Sequence, residues 1–202
     1  NSAVLIDPEG RITGRFNKVH RVPFSEYVPY ADTIPLIREL VWKFSKLKLE
    51  DMRPGEEFPV WGAGGGKFCP QICFEAIFPE ISREIARNGA SFTVNISNDG
   101  WFRASGELDQ MQSMARFRSI ENRMTVIRAT NTGISSFIEP TGRVQAILEK
   151  DGRQKEVEGM LVARVRTTRS TSLFRAWGNW AAWTVVAAVA GRIFVDRFRS
   201  RA

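Results

Sequence analysis

At 202 residues the chain is long enough for one sizeable domain with a real core, and 43% hydrophobic with 25% charged residues excludes a disordered polymer. A net charge of +7 invites a nucleic-acid partner, but residues 160–202 hold eight arginines against one acid, Asp196, so that stretch carries the whole excess and residues 1–159 are formally neutral. Basic charge gathered around an apolar segment near one end argues for a membrane and against nucleic acid.

Asn1-Ser2 runs without a Met into the apolar residues 3–6, so the chain reads as starting inside a fold, as a fragment or a processed product would. Residues 4–7, the turn Pro8-Glu9-Gly10-Arg11 and residues 12–16 predict a hairpin. A Pro-containing loop follows. In residues 34–49 the apolar positions Ile37, Leu40, Val41, Phe44 and Leu47 recur every three or four residues with lysines around them, which predicts an amphipathic helix with a basic face. That face suits either lipid or the sheet.

Glycine and proline breakers at 54–55 and 62–66 bracket a short predicted strand at 58–61. Residues 67–75 predict a strand that ends at Cys73, and 80–87 a helix stopped by Asn88-Gly89. A buried strand at 91–96, a helix at 108–124 and four strands at 126–129, 134–138, 144–148 and 159–165 complete the domain, which ends near residue 168. This order predicts an α/β layered domain with a mixed sheet. Beyond a linker at 169–175, residues 176–191 carry no charge and begin with Trp177, Trp180 and Trp183. Extended to Val195, with Arg192 reaching for the interface, 176–195 is predicted as one transmembrane helix. The basic tail 196–202 then lies in the cytoplasm and the folded domain on the outer face.

The two cysteines, Cys69 and Cys73, lack the second ligand pair that a metal site needs. Four residues apart on one strand they lie roughly 13 Å apart, too far for a disulfide. Two free thiols are expected, with no metal and no cofactor. Cys73 stands where a strand gives way to a loop, a position suited to presenting a nucleophile, and a thiol needs a base or a cation nearby to act. Lys18 is the candidate cation, and Glu75 lies two residues beyond Cys73.

Asn17-Lys18-Val19-His20-Arg21-Val22-Pro23-Phe24-Ser25-Glu26-Tyr27-Val28-Pro29 resembles the lysine motif of the carbon–nitrogen hydrolase (nitrilase) superfamily, and of its apolipoprotein N-acyltransferase branch in particular. The likeness continues through Ile72-Cys73-Phe74-Glu75, Asn95-Ile96-Ser97-Asn98-Asp99-Gly100-Trp101-Phe102, Arg128-Ala129-Thr130-Asn131-Thr132-Gly133 and Arg175-Ala176-Trp177-Gly178-Asn179-Trp180. It covers essentially the whole chain.

The resemblance implies a nitrilase-like α-β-β-α sandwich, incomplete at its N-terminus, and a Glu-Lys-Cys triad. It implies Cys73 as the acylated nucleophile, Lys18 as the oxyanion stabiliser, and Glu26 and Glu75 as further active-site glutamates. The family's general-base glutamate lies upstream of the lysine motif. Glu9 does not match it, so the chain by itself is expected not to turn over. Phe74 stands where this branch usually has Tyr, and Met111 where His is common. His20, the single histidine, reads as part of the loop motif rather than as a base. The implied reaction moves a fatty acyl group from a phospholipid, through a Cys73 thioester, to the α-amine of a diacylglyceryl-modified lipoprotein. The implied setting is a bacterial inner membrane, and the implied state a monomer. The rival readings are an amidase or nitrilase acting on a small substrate, and a non-catalytic, membrane-tethered module.

Overall fold

A computed structural model describes residues 1–45, 52–167 and 170–199. The chain opens with the expected antiparallel hairpin, β1 (Ser2–Ile6) and β2 (Ile12–Asn17). Asp7 fixes its turn by accepting the Arg11 backbone N–H at 2.8 Å, while Gly10 takes a φ of +82°. The next element, α1 (Pro35–Ser45), covers the first part of the helix expected at 34–49; residues 46–49 of that expectation lie outside the described residues.

Six strands then form one mixed sheet in sequence order: β3 (Trp61–Ala63), β4 (Gly66–Ile72), β5 (Phe92–Ser97), β6 (Thr125–Thr130), β7 (Ser136–Ile138) and β8 (Val144–Ile147). The central strands β4, β5 and β6 are parallel, and the outer pairs are antiparallel. Parallel neighbours need long crossovers, supplied by α2 (Pro79–Arg87) between β4 and β5 and by α3 (Glu107–Asn122) between β5 and β6.

Alternation along the strands assigns the two faces. Gln71 donates to the Ser82 hydroxyl of α2 at 3.2 Å and the Ser136 hydroxyl donates to Gln112 of α3 at 3.0 Å, so these positions face the helices. On the other face Ile72 joins a buried cluster with Ala3 and Phe16 of the hairpin and with Phe58. The hairpin lies so close that a Cβ on Gly14 would meet the Trp61 ring at 2.7 Å. Past the hairpin this face opens into a groove of about 870 Å³ lined by Ile96, Ile127, Phe137, Leu148 and Leu161. The described layers are therefore helices, a six-stranded sheet and a two-stranded sheet.

Four expectations shift. The strand expected at 58–61 forms at Trp61–Ala63, because Pro59 has no N–H for a ladder. The strand expected to reach Cys73 stops at Ile72, where the chain tightens into a 3₁₀ turn, Cys73–Ile77. Residues 159–165 join no ladder among the described residues; Gly159, Met160 and Leu161 line the open groove. The single span expected at 176–195 is instead two helices, α4 (Leu173–Trp177) and α5 (Trp180–Arg199), broken where Gly178 adopts a φ of +66°. Ser172 caps α4 by accepting the Arg175 N–H at 2.9 Å. Among the described residues no helix is long and apolar enough to cross a membrane. The α5 helix carries an ion pair, Arg192 to Asp196 at 2.9 Å, within its second half.

Candidate active site

The site is assembled where the parallel strands end. Strand β4, held between β3 and β5, delivers Cys73 at the carboxyl edge of the sheet, the side on which open α/β sheets usually gather ligands. Cys73 has a φ of +53°, a left-handed conformation that costs a non-glycine residue about 1 kcal/mol. The turn Cys73–Ile77 therefore needs support, and Arg118 of α3 supplies part of it by donating to the Ile77 carbonyl. Asn95 of β5 donates through Nδ2 to the Cys73 carbonyl at 3.1 Å, and Glu75 binds the chain on either side.

Glu75 is fully buried. Its Oε2 accepts the Ile72 N–H at 2.7 Å, and its Oε1 accepts the N–H groups of Val19 and His20 at 2.7 and 3.0 Å. One carboxylate thus ties the residue before Cys73 to the residue after Lys18, with Val19 lying 56 positions from Glu75 itself. Burial pushes Glu75 above its ordinary range, against the pull of those three N–H groups and of Lys18.

Lys18 is 2% exposed and lies against Glu26, its ammonium 2.9 Å from Oε1 and 2.8 Å from Oε2. The glutamate also accepts from the Val22 N–H and the Asn1 amide, each at 2.9 Å. Burial alone would raise Glu26, but hydrogen bonds from Lys18, Val22 and Asn1, with the Lys18 charge, outweigh it and hold the carboxyl below its ordinary range. The ion pair holds the Lys18 ammonium in one place.

Of the four residues singled out from sequence, Lys18 and Glu26 form one buried ion pair, and Glu75 links their loop to the turn that begins at Cys73. Glu75 spends its hydrogen bonds on backbone, so it builds the site's frame rather than facing outward into a pocket. Cys69 and Cys73 are both free thiols, as expected. Burial, and then the charges of Glu75 and Glu84, push the Cys69 thiol far above the ordinary thiol range, whereas Cys73 is only half-buried. His20 gives its backbone N–H to Glu75 and stacks its ring on Phe78, centroids 3.9 Å apart, in keeping with a loop role.

Sequence reasoning left out the residues beneath this turn. Asn95, Asp99 and Arg128 are all buried and joined to one another. Their signal was a charged residue inside the otherwise apolar strand 126–129.

The carbon–nitrogen hydrolase family matches residues 1–172. The chain belongs to that family. An apolipoprotein N-acyltransferase of Geobacter metallireducens is 38% identical over 190 residues, covering 94% of this chain and 34% of the relative. Apolipoprotein N-acyltransferase 1 of Treponema pallidum is 40% identical over 187 residues, covering 89% and 32%. The chain spans about a third of the length of the curated relatives it matches. Among solved structures, an amidase of the nitrilase superfamily from Nesterenkonia sp. AN1 superposes with a TM-score of 0.53 at 22% identity, over 73% of this chain and 51% of that one. The nitrilase-like α/β fold expected from the motifs is borne out.

Proposed function

We propose that this carbon–nitrogen hydrolase chain is the nucleophile-bearing part of an apolipoprotein N-acyltransferase. Cys73 thiolate attacks the carbonyl of a phospholipid ester, the oxyanion forms beside the Lys18 ammonium, and its collapse expels a lysophospholipid to leave a Cys73 thioester. The α-amine of a lipoprotein's N-terminal diacylglyceryl-cysteine then attacks the thioester. Collapse of the second oxyanion forms the amide and returns the thiolate. Glu26 holds Lys18, and Glu75 sets the distance between the Lys18 loop and the Cys73 turn. The family resemblance implies a glutamate upstream of the lysine motif as the base: it takes the thiol proton, passes it to the departing lysophospholipid oxygen, and then takes the proton of the attacking amine.

The observation that carries the reading is the double tether of Glu75, which joins the Lys18 loop to a left-handed Cys73 at the carboxyl edge of the sheet. The names of the relatives support the acceptor and the transfer of an acyl group to nitrogen, and the phospholipid donor is what the family resemblance implies. Attachment to a bacterial inner membrane, with the domain on its outer face, fits the C-terminal helix. Every α5 residue from Trp180 to Phe194 is exposed, including Trp183, Val185, Val189 and Phe194. An apolar helix exposed along this length is suited to lipid. Its uncharged stretch, 180–191, is about 18 Å long at 1.5 Å per residue, short of a bilayer core of about 30 Å. In this reading α5 is held in the lipid interface by its tryptophans.

The deciding experiment takes the whole gene product in its membrane and measures the mass of the Cys73 peptide with and without hydroxylamine. The expected result is a fatty-acyl adduct that hydroxylamine removes and Cys73→Ala abolishes. An unmodified Cys73 in the presence of phospholipid overturns the acyltransferase reading, and amide hydrolysis becomes the next activity to assay.

A further inference from the structure

Directly under the candidate nucleophile a polar row crosses the sheet. Gln71 of β4 is in register with Asn95 of β5, Asn95 with Arg128 of β6, and Arg128 with Ser136 of β7. All four are buried between the sheet and the helices α2 and α3. Such a row is expensive unless each member is satisfied, and an arginine at 3% exposure is the costliest of them.

Its guanidinium is spent in three directions. Nη1 donates to Asn95 Oδ1 at 3.0 Å, Nη2 to Asp99 Oδ2 at 3.3 Å, and Nε to the Ile134 carbonyl at 3.4 Å. Asn95 passes the connection on, its Nδ2 donating to the carbonyls of Cys73 at 3.1 Å and Gln71 at 3.4 Å. Asp99 is itself locked, by the Ser97 hydroxyl and by Gly133, where a Cβ would stand 2.0 Å from Oδ2. Packing alone would be served by an apolar side chain of similar volume. A cation two hydrogen bonds from the Cys73 carbonyl has a further consequence.

We propose that Arg128 is a positioning residue for the nucleophile: through Asn95 it holds the left-handed Cys73 turn, and its buried charge favours the Cys73 thiolate. The inference rests on Cys73 being the nucleophile, as proposed above. Burial pulls Arg128 below its ordinary value, and Asp99 and then Cys73 pull it back up, so the two sites feel each other's charge. The other charged groups around the turn are Lys18 with its partner Glu26 from the preceding loop, buried Glu75 from the turn itself, and Arg118 of α3, which donates to the Ile77 carbonyl and pairs with Glu121. His20 packs its ring at a tilt against Phe78 and Phe74.

The test is the pH dependence of Cys73 alkylation by iodoacetamide in the whole gene product, read by peptide mass, for wild type, Arg128→Gln and Arg128→Lys. The expected result is a midpoint in Arg128→Gln about one pH unit above wild type, with Arg128→Lys close to wild type because it keeps the charge. A residue serving the fold alone lowers the melting temperature in both variants and leaves both midpoints where they were, which overturns the proposal. Should Arg128→Gln fail to fold because Asp99 is left unpaired, Arg128→Gln in an Asp99→Asn background is compared with Asp99→Asn alone. The same upward shift of about one unit is expected there, and no shift overturns the proposal. A wild-type midpoint at the ordinary thiol value of about 8.5 overturns the nucleophile reading instead. A depressed midpoint that Arg128→Gln leaves in place overturns only the role of Arg128.

Discussion

Glu75→Ala removes an acceptor that three buried or half-buried backbone N–H groups share: Ile72, Val19 and His20, at 2.7, 2.7 and 3.0 Å. Leaving a buried donor unsatisfied costs about 1–3 kcal/mol, so three give a gross loss of roughly 3–9 kcal/mol. The same substitution abolishes the cost of burying the carboxylate, which is large enough to push Glu75 above its ordinary range. The low end, about 3 kcal/mol, is therefore the expected net destabilisation, or roughly 6–12 °C in melting temperature for a domain of this size. Because the bonds connect two segments, the loss has a location. Amide hydrogen exchange at Val19, His20 and Ile72 is expected to rise together while exchange in β5 and β6 stays slow. Under the proposed function, acyl transfer by the whole gene product falls with it, since the Lys18 loop loses its fixed distance from Cys73. A melting temperature within 2 °C of wild type and unchanged protection at those three amides would refute the idea that one carboxylate ties the site together.

Three further outcomes are expected. Lys18→Met strands the buried carboxylate of Glu26 and should cost about 3–5 kcal/mol in thermal unfolding, with Glu26→Gln added in the same chain recovering part of it. Glu26 is held below its ordinary value, so the stability it contributes is present above that value and lost as pH falls through the depressed one; acid unfolding of Glu26→Gln, followed by circular dichroism, should show a flatter loss over that window than wild type. Gly133→Ala places a Cβ 2.0 Å from Asp99 Oδ2 and must displace Asp99 from Arg128, so its melting temperature should fall well below that of Gly62→Ala, where a Cβ meets nothing within 4 Å.

Hydrophobic periodicity, turn residues and the spacing of the motifs were enough to place the hairpin, the two crossover helices and the parallel strands, because these patterns repeat over a few residues. They also placed Cys73 at a strand end and offered Lys18 as its cation, while the family resemblance added Glu26, eight residues along the same loop, and the two meet as an ion pair. Boundaries that depended on a neighbour were not legible. Residues 159–165 have a strand's composition, yet a strand forms only with a ladder partner. Residues 176–195 read as one apolar run until Gly178 turned left-handed and Arg83 bound the carbonyls at the end of α4.

The sequence by itself determined which chemistry is carried and in what order along the chain. Only the tertiary structure decided that Glu75 serves backbone 55 and 56 positions away, and that Arg128 and Asp99, 29 positions apart, meet under Cys73. The physical reason is that burial makes such partners obligatory: an ionised group removed from water must find its counterpart in whatever segment the fold brings to it. That choice is made by strand order and register, which no local pattern encodes.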